Sequence, residues 1–99
     1  MIVCVSIEDD YDTSPPFGAW SINDFEQMKY DLTLELHELV ENGYCYDRMT
    51  FRLYSGCNLL NSNYITHINE IVLSDIVKII DNAILELNIE HFKNVTRSD

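Results

Sequence analysis

The residues of this chain best suited to chemistry are three histidines and three cysteines, and their spacing argues against most of it. His37 and Glu41 are four apart, so on a helix they lie side by side, which is part of a metal site. No third ligand is paired with them, and neither C-x-x-C nor H-E-x-x-H spacing occurs. A Cys–His nucleophilic pair stays open, because spatial neighbours need not be neighbours in sequence. There is no G-x-S-x-G, no P-loop and no G-x-G-x-x-G, and the chain has three glycines in all. The expectation is therefore no catalytic residue, no metal, no cofactor and no enzyme.

Two further groups invite a chemical reading. The run Glu8-Asp9-Asp10-Tyr11-Asp12 has the acids of a calcium loop but lacks the glycine and closing glutamate of EF-hand spacing. It reads first as a solvated loop and second as a partner-binding loop, with Asp9, Asp10 and Asp12 around Tyr11. Tyr44, Tyr46 and Tyr54 with Arg48 and Arg52 fall on one side of an alternating segment, the composition of a nucleic-acid stacking platform. The charge of the chain argues against that, and Arg–Tyr pairs across a sheet are ordinary, so a structural role is favoured.

That charge is −11 over 99 residues, and it is unevenly placed. Residues 1–43 carry ten acids and one base, whereas 44–99 carry seven acids and five bases. A surface of one sign repels nucleic acid and attracts basic proteins. The length gives one domain, 1–99, with room for one core and little else. Cysteines that are odd in number and not closely spaced fit a reducing compartment. The first residues carry no basic signal-peptide opening, and no apolar run approaches the ~20 residues of a membrane span. The expected location is cytoplasmic, away from the membrane.

These residues need elements to position them. Residues 2–7 are β-branched and apolar, a buried strand. Residues 8–20 contain Pro15-Pro16 and Gly18 and read as a loop, pinned to the core by Phe17 and Trp20. Residues 21–42 give the clearest helix, with Ser21 as its cap, Gly43 as its stop, and Phe25, Met28, Leu32, Leu36, Leu39 and Val40 as its apolar stripe. Residues 44–54 alternate as a strand with Met49, Phe51 and Leu53 inward, and 55–58 turn. A strand is expected somewhere in 64–72. Ser74 then caps a second helix buried through Ile76, Ile80, Ala83, Ile84 and Leu87. Asn88 ends it, and 89–95 follow as an extra turn or a short last strand. The order β-α-β-β-α predicts an α+β domain: a mostly antiparallel sheet with two amphipathic helices packed on one face.

The face of the first helix opposite its apolar stripe centres on Leu34, with Tyr30 one turn before it. Asp31, Glu35, Glu38 and Glu41 surround the pair. An apolar anchor inside a charged rim has the composition of a binding face. The alternative is two isolated exposed apolar side chains, which are common.

The segment Trp20-Ser21-Ile22-Asn23-Asp24-Phe25, entering an amphipathic helix after a strand and a Pro-Gly loop, resembles an opening seen in some bacterial immunity proteins. These are the small, acidic, cytoplasmic α+β partners of contact-dependent growth inhibition toxins and related polymorphic toxins. The resemblance implies an antitoxin-like function: tight binding that holds a toxic nuclease domain inactive. It carries no family site residues, since Trp20 and Phe25 would pack and Ser21 would cap. Together these readings lead to an acidic binding protein for a basic toxin domain, an RNase or DNase, with no nucleic-acid partner, acting as a monomer or weak dimer. The alternatives are a phage-type DNA-mimic inhibitor of a host nuclease, a small subunit of a larger assembly, and a small enzyme.

Overall fold

The structure is a computed structural model that describes residues 1–8, 16–42 and 48–96. Four strands form one antiparallel sheet: β1 (Ile2–Glu8), β2 (Pro16–Ser21), β3 (Arg48–Ser55) and β4 (Asn58–Thr66), in the order β2-β1-β3-β4. Among the described residues three α-helices accompany the sheet: α1 (Phe25–Glu41), α2 (Ile76–Glu86) and α3 (Ile89–Thr96). α1 and α2 pack against each other and on one face of the sheet.

Alternation along the strands decides which face is core. Val3, Val5 and Ile7 of β1 stand opposite Leu53, Phe51 and Met49 of β3 in register, and all six are buried. Met28, Leu32, Leu36 and Leu39 of α1 close over them, with Ile76, Ile80, Ala83, Ile84 and Leu87 at α2. Each buried aliphatic side chain contributes about 1.5–3 kcal/mol against the cost of ordering. Both helical stripes are those the periodicity predicts, apart from Phe25 and Val40, which are half-buried at its ends.

Several local expectations change. The segment read as a loop over 8–20 holds the strand β2 at Pro16–Ser21. A bulge between Val5 and Ser6 lets a proline-containing edge strand pair with β1. Trp20 is half-buried against the core, but Phe17 is exposed and only meets the Trp20 ring, at 6.0 Å between centroids. Trp20 lies over Gly18 so closely that a Cβ there would meet the indole at 2.6 Å. Ser21 does cap, yet what it caps is a 3₁₀ turn, Ile22–Asp24, that precedes α1; its Oγ accepts from Asn23 N–H at 3.3 Å. Gly43 lies outside the described residues, as do Tyr44, Cys45 and Tyr46.

The fourth strand comes earlier than the 64–72 window, and the reason is visible in its inward residues. Gly56, with φ of 59°, takes the first position of a two-residue hairpin loop, so β4 begins at Asn58. Its core-side positions include Asn61 and Asn63, which break the apolar alternation. Their amides serve the end of α2: Asn61 Nδ2 donates to the Leu87 carbonyl at 3.0 Å and Asn63 Nδ2 to the Ala83 carbonyl at 2.7 Å. Those carbonyls belong to a helix end, where backbone acceptors lack intrahelical partners. Ser74 does not cap α2. It sits inside another 3₁₀ turn, Leu73–Asp75, and α2 has no side-chain cap bond at its start. Asn88 ends α2 in the left-handed region, φ 56°, and the chain continues as helix α3, not as a strand.

Candidate functional site

α1 carries the predicted binding face, and the fold leaves it open. Its inner positions face the core, which turns Tyr30 and Leu34 outward at 62 % and 54 % exposure. Glu38 and Glu41 continue the same line toward the helix C-terminus and are exposed. Asp31 and Glu35 flank it and are half-buried. All six predicted residues of this helix therefore share one side of the molecule.

Their environments differ. Both oxygens of Asp31 are engaged: Oδ1 accepts from Gln27 Nε2 at 2.9 Å and Oδ2 from the Trp20 indole N–H at 3.2 Å. Asp31 thus fastens the helix to β2 while contributing charge to the rim. Glu41 lies 3.4 Å from His37 Nδ1, an exposed pair that contributes little. Among the described residues no cluster of three potential metal ligands forms, around this pair or elsewhere. Burial pushes the Glu35 carboxyl above its ordinary 4.5, and the Glu38 charge raises it further.

Glu26 in the first turn of α1 suits the helix dipole, but the charges of its C-terminal half do not. A helix C-terminus carries a partial negative charge and is favoured by cations there. The last turn of α1 has no base and ends in Glu41. Lys29, the helix's one base, is drawn away to Asp81 of α2 at 3.3 Å. Asn42 Nδ2 donates to the Glu38 carbonyl at 2.9 Å, and a cationic partner would add charge compensation at this end and relieve the crowding at Glu35–Glu38.

Asp9, Asp10, Tyr11 and Asp12, the second predicted site, lie outside the described residues. Glu8, the first acid of that run, is not a loop residue. It is the last residue of β1 and stands opposite Arg48 of β3. Its Oε2 accepts from Arg48 Nε at 2.9 Å and Thr50 Oγ1 at 3.3 Å; its Oε1 accepts from Ser6 Oγ at 3.0 Å and Arg52 Nη2 at 3.2 Å. Arg52 Nη1 also donates to Ser6 Oγ at 2.9 Å. The Glu8 side chain is 14 % exposed. The hydrogen bond from Arg48 holds its carboxyl down at about 2, from an ordinary 4.5, against the opposing effect of burial and with help from Ser6 and Arg52. This knot on the helix-free face of the sheet joins β1 to residues forty or more positions further on, so no local spacing could announce it. It occupies both arginines of the supposed stacking platform and leaves them structural.

A shallow apolar groove of about 170 Å³ lies between Phe25, Ile84, Leu85, Asn88, Ile89 and Glu90. No described helix is long and apolar enough to cross a membrane. No family model matches the chain, and no curated protein or solved structure matches it either.

Proposed function

We propose that this chain is a non-catalytic binding protein that neutralises a basic toxin domain, in the manner of an immunity protein. The observation that carries the reading is the outer face of α1. Tyr30 and Leu34 stand exposed one turn apart within Asp31, Glu35, Glu38 and Glu41, on a helix whose lone lysine is committed to α2. The apolar pair supplies the desolvated centre that dominates binding energy, and the acids supply steering and a rim. A nuclease domain is the class of partner that fits, because a groove built to hold phosphates presents cations in a row. A row of carboxylates can occupy it, and attraction between the two surfaces speeds their encounter.

The test is co-production of this chain with any nuclease toxin domain found encoded beside its gene. The reading expects growth to be restored, nucleic acid to survive in the cell, and the two proteins to purify together. Restored growth with no complex would contradict direct neutralisation. Turnover by the purified chain alone, lost on mutating His37 or a cysteine, would replace the reading with an enzyme.

A further inference from the structure

We propose that the apolar groove where α1 begins and α2 meets α3 is a socket for an aliphatic side chain beside a positive charge, the apolar anchor of a basic partner. Its floor is already built: Ile84 and Ile89 are buried, and Phe25 is half-buried against the core. Leu85 forms an open wall and is 77 % exposed. An aliphatic side chain left this far in water beside a hollow loses that exposed area to an occupant. At about 170 Å³ the groove falls below the roughly 300–1,000 Å³ of pockets for small molecules and suits a single side chain.

Charge selects the molecule that side chain belongs to. Glu90 lines the groove with its side chain 82 % exposed; Lys93 lies 3.9 Å from it, an exposed pair that contributes little. α2 ends at the groove with no base in its last turn, so the partial negative charge of that helix end adds to the carboxylate. The start of α3 has the opposite sign, but about half a positive charge stands against the full charge of Glu90. A second copy of charge −11, a nucleic acid or an anionic membrane is repelled as a whole. A basic protein is attracted, and a lysine or arginine next to its aliphatic side chain meets Glu90. The position fits one footprint with the acidic face. Phe25 meets Ile84 and Leu85 whereas Lys29 reaches Asp81, so α1 and α2 run antiparallel and the groove lies at the Phe25 end of α1. At about 1.5 Å per residue, Tyr30 and Leu34 lie about 7 and 14 Å along the helix from Phe25, and Glu41 about 24 Å. A standard interface of about 800 Å² per partner is roughly 30 Å across and covers all of them. That the partner is a toxin domain rests on the reading above; the preference of the groove for a cationic aliphatic group does not.

The experiment is a nuclear magnetic resonance titration of this chain alone with hexylammonium, hexanoate and ethylammonium, at constant ionic strength of about 0.15 M. Hexylammonium should shift the methyl signals of Ile84, Leu85 and Ile89 and the ring signals of Phe25. Hexanoate, with the wrong charge, and ethylammonium, with too short a tail, should each bind at least about threefold more weakly. Leu85→Ser removes an exposed wall and should weaken hexylammonium by about threefold or more; Glu90→Gln should erase most of its advantage over hexanoate. Both positions are exposed, so the fold should hold, which circular dichroism checks. Glu38→Lys with Glu41→Lys, more than a screening length away, should leave hexylammonium binding unchanged. With a basic toxin domain that the wild-type chain binds, Leu85→Ser should raise Kd by about fivefold or more. Equal binding of hexylammonium and hexanoate, shifts confined to residues outside the groove, or a toxin domain indifferent to Leu85→Ser would overturn the inference while leaving the α1 face in place. A groove that prefers hexylammonium in a chain that neutralises no toxin domain would support the inference and remove the toxin reading alone.

Discussion

The Trp20 indole donates a hydrogen bond to Asp31 across 3.2 Å, joining the edge strand β2 to the middle of α1 directly beside the exposed Tyr30. The contact fixes how the acidic face is presented relative to the sheet. It also gives Trp20 two tasks, since the same ring lies over Gly18. Asp31→Ala should lower unfolding free energy by about 1.5–3 kcal/mol, the usual cost of hydrogen bonds to a charged group. Glu38→Ala, on the same face but without such a partner, should stay within about 0.5 kcal/mol. Urea titration of both variants separates a carboxylate that holds the fold from one that only carries charge.

Gly18→Ala should destabilise by about 1–3 kcal/mol, because a methyl at 2.6 Å from the indole must displace it. Near-ultraviolet circular dichroism should show the tryptophan environment change together with the melting temperature. Gly56→Ala should cost about 1–2 kcal/mol for a different reason, a left-handed φ with open space around it. Its tryptophan signal should be unaltered.

Acid should loosen the fold through Glu8. Its carboxyl titrates at about 2 when folded and near 4.5 when unfolded. A lowered value means stability that is full above the unfolded pKa and lost as pH falls from about 4.5 toward 2. Glu35 has the opposite sign: its raised value means stability that is full at low pH and declines as pH rises through its folded pKa. Denaturation measured from pH 2 to 7 should therefore lose its steep acid limb in Glu8→Gln. In Glu35→Gln the stability at neutral pH should rise. A Glu8→Gln chain with the wild-type acid limb would remove the knot from the account.

How much of this was legible in the sequence depends on the range of the cause. The stripes of α1 and α2 follow from periods of 3.6, and the structure buries the residues those periods select. The exposed face of α1 is the same periodicity read from the other side, so Tyr30 and Leu34 were findable. β2 was missed because proline and glycine mark loops, yet an edge strand with a bulge admits both. β4 was misplaced because Asn61 and Asn63 stand at its core-facing positions, where their partners are carbonyls at the end of α2, 26 and 20 residues further on. The Glu8–Arg48–Arg52 knot needs the register of β1 against β3, which no local pattern carries.

The core side of α1 should respond in the opposite way to its exposed side. Leu32→Ala opens a cavity in a fully buried position and should cost about 2–5 kcal/mol. Tyr30→Ala and Leu34→Ala should each change stability by no more than about 0.5 kcal/mol. Thermal unfolding of the three variants checks the division. Unfolding of the latter two would mean that this face is packed, not presented.

The central claim, that the acidic outer face of α1 engages a basic partner, is tested most directly by reversing its charge. Glu38→Lys with Glu41→Lys places cations at a helix end that favours them, so the variant should be as stable as the wild type or slightly more so, by about 0.3–1 kcal/mol per charge. Titrated with a basic toxin domain that the wild-type chain binds, the same variant should bind more slowly and more weakly, and its association rate should lose most of its dependence on salt. A charge-reversed chain that folds as well and binds with unchanged rate, affinity and salt dependence would contradict the account.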